Sequence, residues 1–568
     1  MNILVQRLSE ENRSWLRQSL ESQMEAARTT RLSFWQHWAL CAEMFLPRRY
    51  RWFITANQYS KGAPINQSIV DETGVLAART LASGLLSGLT SPTKPWFKLG
   101  IHGIEISEDT DAYKWLYDCA TVMMRVYAQS NFYTALGVAY HDLAVFGSAA
   151  MIQYEDFEDV VHFYNPCLGE FFFIVDNRLV VNGLMREYTY TVSQIVAEFG
   201  KENCPLEIQR ALTSGGGQKE KEYIVCHAIL QNKPQLYQDK DLGYVVPKSF
   251  PFYEAHWIKA SPKENILRIS PFKEKPFIGG RWDVTSNDPY GRSPGMDALP
   301  AVRQLQIEQR RKAEAIDKMV RPPMVGSVSM KNEPASILPG GVTFVSDPQA
   351  NGFKPAFQVE PRISELMEDL KEVQSRVNSV FFVDLFLMIS QLDTVRTATE
   401  IDARREEKLI QLGPVIERFE NEVLDPIVHR TFAICARKGL FPPPPQGIQG
   451  KEIQVNYISM LAEAQAAAST AAIERVFAFA GNLVGVLPNI IDNLDGDAAI
   501  DEYAEKLKIP PEIVRATAEV AQIRQQRAQQ EAQQQSLASG QALASGAKTL
   551  SETDVGGGQN ALQKMVGL

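Results

Sequence analysis

The residue types that could carry chemistry are present in this chain, but they are not spaced to perform it. Asp402 and Glu406 stand one helical turn apart, yet Arg405 lies beside them, so the group reads as surface ion pairs rather than an acid and base. The seven histidines never fall at ligand spacing, and there is no HExxH, GxSxG or Walker A pattern. The glycines at 215, 216 and 217 could cradle a phosphate only if Lys-Ser or Lys-Thr followed them; neither does, and they read as a connection. The six cysteines, at 41, 119, 167, 204, 226 and 435, include no CxxC pair, which predicts buried, reduced thiols. The expectation is a protein that is not an enzyme, with no catalytic residue, no cofactor and no metal.

What remains is the chemistry of charge. Across 568 residues, 58 Lys and Arg stand against 67 Asp and Glu, a formal net charge of −9, which excludes a tight binder of nucleic acid over its whole surface. One stretch runs the other way. Residues 298–321 read as a helix about 36 Å long, bearing Arg303, Arg310, Arg311, Lys312, Lys318 and Arg321 against Glu308, Glu314 and Asp317. Such a helix is either a solvated face or a contact for a polyanion. With 45% hydrophobic and 22% charged residues the chain is an ordinary globular one of two to four domains. The start, MNILVQRLSEENRS, has no apolar core of a secretory signal, and the apolar run from Val476 is broken by Asn482 and Pro488, so no membrane segment is expected.

The elements that would position these charges follow from periodicity. Helical spacing recurs over 7–46, 71–90, 109–130 and 132–143. From Ser148 short alternating or continuously apolar runs take over (AAMIQYE, VVHFYN, GEFFFIVD, LVVNGLMREYTY), then TVSQIVAEFG reads as a short helix with a glycine stop, and strands resume at Tyr223 and Phe252. After the basic helix, 324–358 is punctuated by Gly and Pro, and a second helix runs from Ile363 to about Val380 with Leu366, Leu370, Val373 and Val377 on one face. A further helix passes Pro414, which should kink it. FPPPPQG at 441–447 is a rigid linker, a strand begins near Glu452, and the Gln- and Ala-rich end is expected to be mobile from Ser536. The fold class is α+β, mainly helical.

Three motifs stand out from this background. Asp71 to Phe97 reads as a capped helix in which Asp71 takes the first-turn amides. Gly84 and Gly88 allow close packing, Pro92 and Pro95 stop the helix, and Trp96 and Phe97 anchor its exit. Arg281 and Trp282 precede Tyr290, Gly291, Arg292, Ser293 and Pro294, which lead into the basic helix, and Thr397 with Glu400 forms a potential capping box. Together these resemble the signature of the portal proteins, or head-to-tail connectors, of short-tailed tailed phages, over roughly residues 1–460. The resemblance implies a portal fold: a wing at 1–290 (helical 1–147, β-rich 148–290), a first stem helix at 291–321, a clip at 322–360 and a second stem helix at 361–382. It further implies a tunnel loop at 383–396, a kinked wing helix and strand at 397–459, a crown at 460–510, and a C-terminal helix with mobile tail at 511–568.

It also implies a ring of twelve copies at one capsid vertex, assembled in the host cytoplasm and carried in the virion. Double-stranded DNA would pass through it in packaging and ejection. The partners would be the major capsid and scaffolding proteins, the terminase that packages DNA, and then tail adaptors. Arg303, Arg310, Arg311, Lys318 and Arg396 are then channel candidates, and Met388, Gln391 and Asp393 tunnel-loop candidates. The alternative is a ring-forming tail or adaptor protein that never meets the packaging motor.

Overall fold

The computed structural model describes residues 8–50, 53, 67–101, 110–214, 217–233, 246–325 (apart from 248, 264 and 323), 354–355, 363–390, 411–445, 453–458, 476–481, 494–500 and 517–552. The first element is one unbroken helix, α1 (Glu10–Phe45), capped by Ser9, whose hydroxyl accepts the Asn12 amide at 3.2 Å. After Leu46, Pro47 opens a four-residue helix, α2 (Pro47–Tyr50). Next come α3 (Thr73–Leu89), β1 (Phe97–Ile101), α4 (Thr110–Gln129) and α5 (Phe132–Phe146). The α3 cap differs from expectation by one position: Glu72 is the N-cap, and Asp71 reaches past it to accept the Thr73 amide at 2.9 Å. The helix stops at Leu89, ahead of the exposed Pro92, and all of Trp96 and Phe97 is buried beyond it.

The β-rich region holds β2 (Ser148–Glu155), β3 (Val161–Tyr164), β4 (Phe171–Val175), β5 (Val181–Thr191), β6 (Glu222–Gln231), β7 (Phe252–Ile258), β8 (Arg268–Phe272) and β9 (Phe277–Arg281). Between β5 and β6 lie α6 (Val192–Phe199), closed by a Thr191/Gln194 capping box and Gly200, and α7 (Leu206–Thr213). The strands form an antiparallel five-stranded sheet, β4-β5-β6-β7-β8, and a three-stranded one, β3-β2-β9. Side chains alternate across the larger sheet. Met185, Cys226, Ala228, Tyr253, Ala255 and Trp257 pack against Leu16, Leu20 and Met24 of α1. Each of the larger aliphatic side chains among them, such as Leu16, Leu20 and Met185, contributes roughly 1.5–3 kcal/mol on burial. The seam also tolerates Arg17, whose guanidinium donates to the Ile258 carbonyl at 3.0 Å and the Ser261 hydroxyl at 2.9 Å.

The basic helix, α8 (Pro294–Val320), starts earlier than expected because Ser293 caps it and Pro294 occupies its first position. Beyond it β10 (Met324–Val325) pairs antiparallel with β11 (Lys354–Pro355), turning the chain back into α9 (Ile363–Val380), whose bounds agree with the sequence reading. The tunnel loop expected from 383 begins instead as a helix, α10 (Val383–Ser390), with Leu385 and Phe386 buried; its all-round apolarity gave no period to read. The backbone is helical over 411–419, through Pro414, and its departure from α geometry comes later, as a π turn at Glu420–Leu424 ahead of α11 (Asp425–Arg437). β12 (Ile453–Tyr457) pairs with β1. The end expected to be mobile from Ser536 is helical to Glu552 within α12 (Thr517–Glu552), where Ala and Gln sustain the helix across Gly540 and Gly546.

The chain divides into two compact units. One holds residues 1–97, 121–441 and 457–461; the other holds 98–120, 442–456 and 462–568. All six cysteines are free and buried, as expected, and among the described residues no helix is long and apolar enough to cross a membrane.

The start of α8 is set by a backbone-on-backbone corner. A methyl group on Gly291 would lie 2.3 Å from the Gly147 carbonyl oxygen and 2.9 Å from the Trp282 nitrogen. Gly291 donates its amide to the Ser148 hydroxyl at 2.9 Å, and Ser293 donates its hydroxyl to the Val145 carbonyl at 2.7 Å, so the end of α5 and the start of α8 are locked together. Backbone cannot swing aside as a side chain can. Gly291→Ala is therefore expected to destabilise the fold by about 3 kcal/mol or more, read as a fall in the denaturant midpoint; a midpoint within error of the parent would show that this corner is looser than described.

Candidate functional site

The polar centre of the larger unit is Asp71, 7% exposed. One carboxylate oxygen accepts the Thr73 amide; the other accepts the side-chain amides of Gln309 on α8 and Gln374 on α9, each at 3.0 Å. Gln306 of α8 completes the clamp. Its oxygen accepts the Val70 and Asp71 amides at 2.7 and 2.9 Å, and its nitrogen donates to the Asp71 carbonyl at 2.9 Å. One acid thus ties the start of α3 to both long helices. Burial works to raise the Asp71 carboxyl, but the hydrogen bonds from Thr73, Gln309 and Gln374 together hold it below the usual carboxylate range.

The other motif residues are also structural. Gly84 gives room to the Phe386 ring of α10, which would lie 2.3 Å from an added methyl group, and Gly88 is buried on the same helix. Trp96 stacks on Phe132 and Tyr457, 5.9 and 6.4 Å between centroids, and donates to the Tyr133 hydroxyl at 3.3 Å. Arg281, 4% exposed, holds Glu422 of the π turn and donates to the Leu179 carbonyl at 2.7 Å. The buried Trp282 donates its amide to the Gly147 carbonyl at 2.9 Å, and Tyr290 meets Trp38 edge-on at 4.9 Å.

Of the expected channel residues, Arg303, Arg310, Arg311 and Lys318 are all exposed on α8. Met388 lies in α10. Gln391, Asp393, Arg396, Thr397 and Glu400 lie outside the described residues. The expectations thus come together only on α8. The sequence reading passed over the neighbouring helix, where Glu365, Glu368, Asp369 and Glu372 are exposed; projecting α9 at one residue per 100° would have found them on one face.

It also passed over a buried cluster. On the sheet face turned away from α1, strand register sets His227 opposite His256, and the pleat puts Glu254 beside His256. The rings stack at 3.9 Å, and Glu254 lies 3.2 Å from His227 Nε2 and 3.5 Å from His256 Nε2. The three could group around a cation. However, Arg186 Nε donates to His227 Nδ1 at 3.0 Å, which assigns the proton to Nε2, where it is donated to Glu254. With Arg268 Nε also 3.4 Å from Glu254, the group suits a fixed charge network better than a metal centre. Burial holds His227 well below the ordinary imidazole pKa, with His256 adding to the effect, and burial lowers His256 as well. Burial would raise Glu254, but the two imidazoles and their hydrogen bonds pull it well below the carboxylate range.

Comparison with known proteins agrees with the motif geometry. Residues 17–514 match the model of a family described as bacteriophage head to tail connecting protein. A probable portal protein of Bordetella phage BPP-1 is 38% identical over 525 residues, covering 92% of this chain and 93% of that protein. The portal protein of Salmonella phage epsilon15 is 36% identical over 540 residues, covering 94% and 96% respectively.

Two expectations follow from the site. Asp71→Ala removes three charge-assisted hydrogen bonds and is expected to lower unfolding stability by about 2–4 kcal/mol, with Asp71→Asn milder because the amide keeps an acceptor. An unchanged denaturant midpoint would show that the clamp is not a tie. For the histidines, the folded pKa values lie below the unfolded value of about 6.5, so the unfolded chain takes up protons first. Stability is then full above that value and falls as pH drops through it. The slope of melting temperature between pH 7 and 5 should be shallower in His227→Gln and His256→Gln than in the parent, and equal slopes would remove these two groups as its source.

Proposed function

The chain belongs to the family of bacteriophage head to tail connecting proteins, and from that premise we propose that it is a portal subunit, twelve copies of which close into a ring at one capsid vertex. The ring forms the channel through which double-stranded DNA enters during packaging and leaves at ejection. It nucleates the shell with scaffolding and major capsid proteins, docks the terminase, and later receives the tail adaptors. Assembly takes place in the host cytoplasm and the product resides in the virion. The observation that carries this reading is the correspondence over more than nine-tenths of the length of two proteins, one named a portal protein and the other a probable portal protein. A tail adaptor would not be expected to match them over that span.

The physical character of the chain supports a conduit. A wall that gripped phosphates through many bases would release counterions, bind tightly and stall movement. A net charge of −9 per copy repels the duplex weakly and leaves it free to slide. The chain has no Walker A sequence, so the energy for movement comes from the terminase. In this reading α8 and α9 are the stem pair, the segment between them with β10 and β11 at its base is the clip, and the β-rich region with α1, α3 and α5 is the wing.

Negative-stain microscopy of the purified protein tests the proposal. Closed rings with a central hole are expected, and a monodisperse monomer without one would overturn it. Capture of the terminase by those rings separates a portal from an adaptor.

A further inference from the structure

Two exposed helix faces in the stem pair carry opposite charge. At 100° per residue, Arg303, Arg310, Arg311, Lys318 and Arg321 fall within roughly a 100° arc of α8, with Glu314 as the one acid among them. That arc is clear of the face buried through Ala298, Val302 and Leu305. On α9, Glu365, Glu368, Asp369 and Glu372 fall within a similar arc, roughly 100° wide, with Arg376 as the one base, clear of buried Leu370, Val373 and Val377. Among the described residues no ion pair joins the two faces within one chain.

Their heights match. The hydrogen bond from Arg376 to Gln304, at 3.3 Å, sets the register of the antiparallel pair. Stepping away from it along both helices at equal rise brings Arg310 level with about position 370 of α9, and Arg311 with about 369. Rotation about a ring axis preserves height for helices that run along it, so the bases of one copy and the acids of the next lie at the same level.

We propose that the basic face of α8 in one subunit seats against the acidic face of α9 in the next, so that Arg310 and Arg311 meet Glu368, Asp369 and Glu372 of a second copy rather than the phosphates of DNA. The inference rests on the ring reading above and names the contact that closes it. A cyclic ring needs two different, mutually complementary faces on each subunit, and these two are complementary. The pairing also answers a problem of assembly. Copies that each carry −9 repel one another as they gather, and setting a basic arc against an acidic one turns that repulsion into attraction where the copies touch.

The test uses full-length chains carrying reversed charge. One variant is Arg310→Glu with Arg311→Glu; the other is Glu368→Lys with Asp369→Lys. Alone, each sets like charges face to face and is expected to yield fewer rings than the parent by about tenfold or more, counted by gel filtration and microscopy. Mixed in equal amounts, the two should restore rings, because each reversed face then meets the opposite charge on the other variant. Melting temperatures close to the parent's show that both variants are folded, since every substituted side chain is exposed. Rings from either variant alone, or none from the folded mixture, would overturn the pairing. Rings that form normally from the arginine variant but lose packaged DNA would assign that face to the channel and overturn it as well. If the parent itself forms no rings, the portal reading fails instead, and the two failures are distinguishable.

Discussion

The architecture depends on one buried carboxylate. Asp71 sits where α3 begins and where α8 and α9 pass, and it accepts hydrogen bonds from all three elements. A buried charge is tolerable only when it is fully satisfied, so the geometry of the three helices is constrained together: shifting any one of them strands an anion or an amide. Gln306 makes the constraint bidirectional, since it both donates to and accepts from the backbone around Asp71. The motif that identifies the family therefore acts inside the fold at this point. It is the joint through which the helical N-terminal part holds the long helix pair.

Around that joint the remaining stabilisation divides by type. The larger sheet is held to α1 by apolar side chains on one face and carries a charge network of Arg186, His227, Glu254, His256 and Arg268 on the other. The first is insensitive to pH and the second is not. The corner formed by Gly147, Gly291 and Ser293 uses neither; it is steric, with backbone pressed on backbone. These three devices do not substitute for one another.

Much of this was legible in the sequence, and the gaps have physical causes. The strands from Ser148 to Ile258 followed from alternating or continuously apolar runs bounded by turn residues, and the bounds of α9 from its buried Leu370, Val373 and Val377 beside an exposed acidic face. The helix at 383–390 did not, because a segment apolar on every side has no phase. The cap at Asp71 was displaced by one residue, since its carboxylate reaches the first helical amide from outside the helix. The His227 and His256 pair lies 29 positions apart in the chain and is visible only once strand register is known. The helical end to Glu552 was masked by a composition that also suits disorder, with Gln and Ala serving either state. Of the candidate site, the bases of α8 were evident from their number, whereas the acids of α9 gather on one face only when the helix is projected at 100° per residue.

The π turn at Glu420–Leu424 carries a further consequence. A π turn holds one more residue than an α turn, so it acts as a phase shift: side chains before it and after it are out of step by about 100° relative to an unbroken helix. That offset lets Leu412 and Phe419 bury on one side while Ile427 and Val428 bury beyond the turn, and it presents Glu422 to Arg281 at the join. Reading frame and geometry are therefore linked here. Loss of a single codon within these five residues would leave a longer regular helix and a nearly intact composition, yet it would rotate residues 411–419, with buried Leu412 and Phe419, out of alignment with the helix beyond the turn.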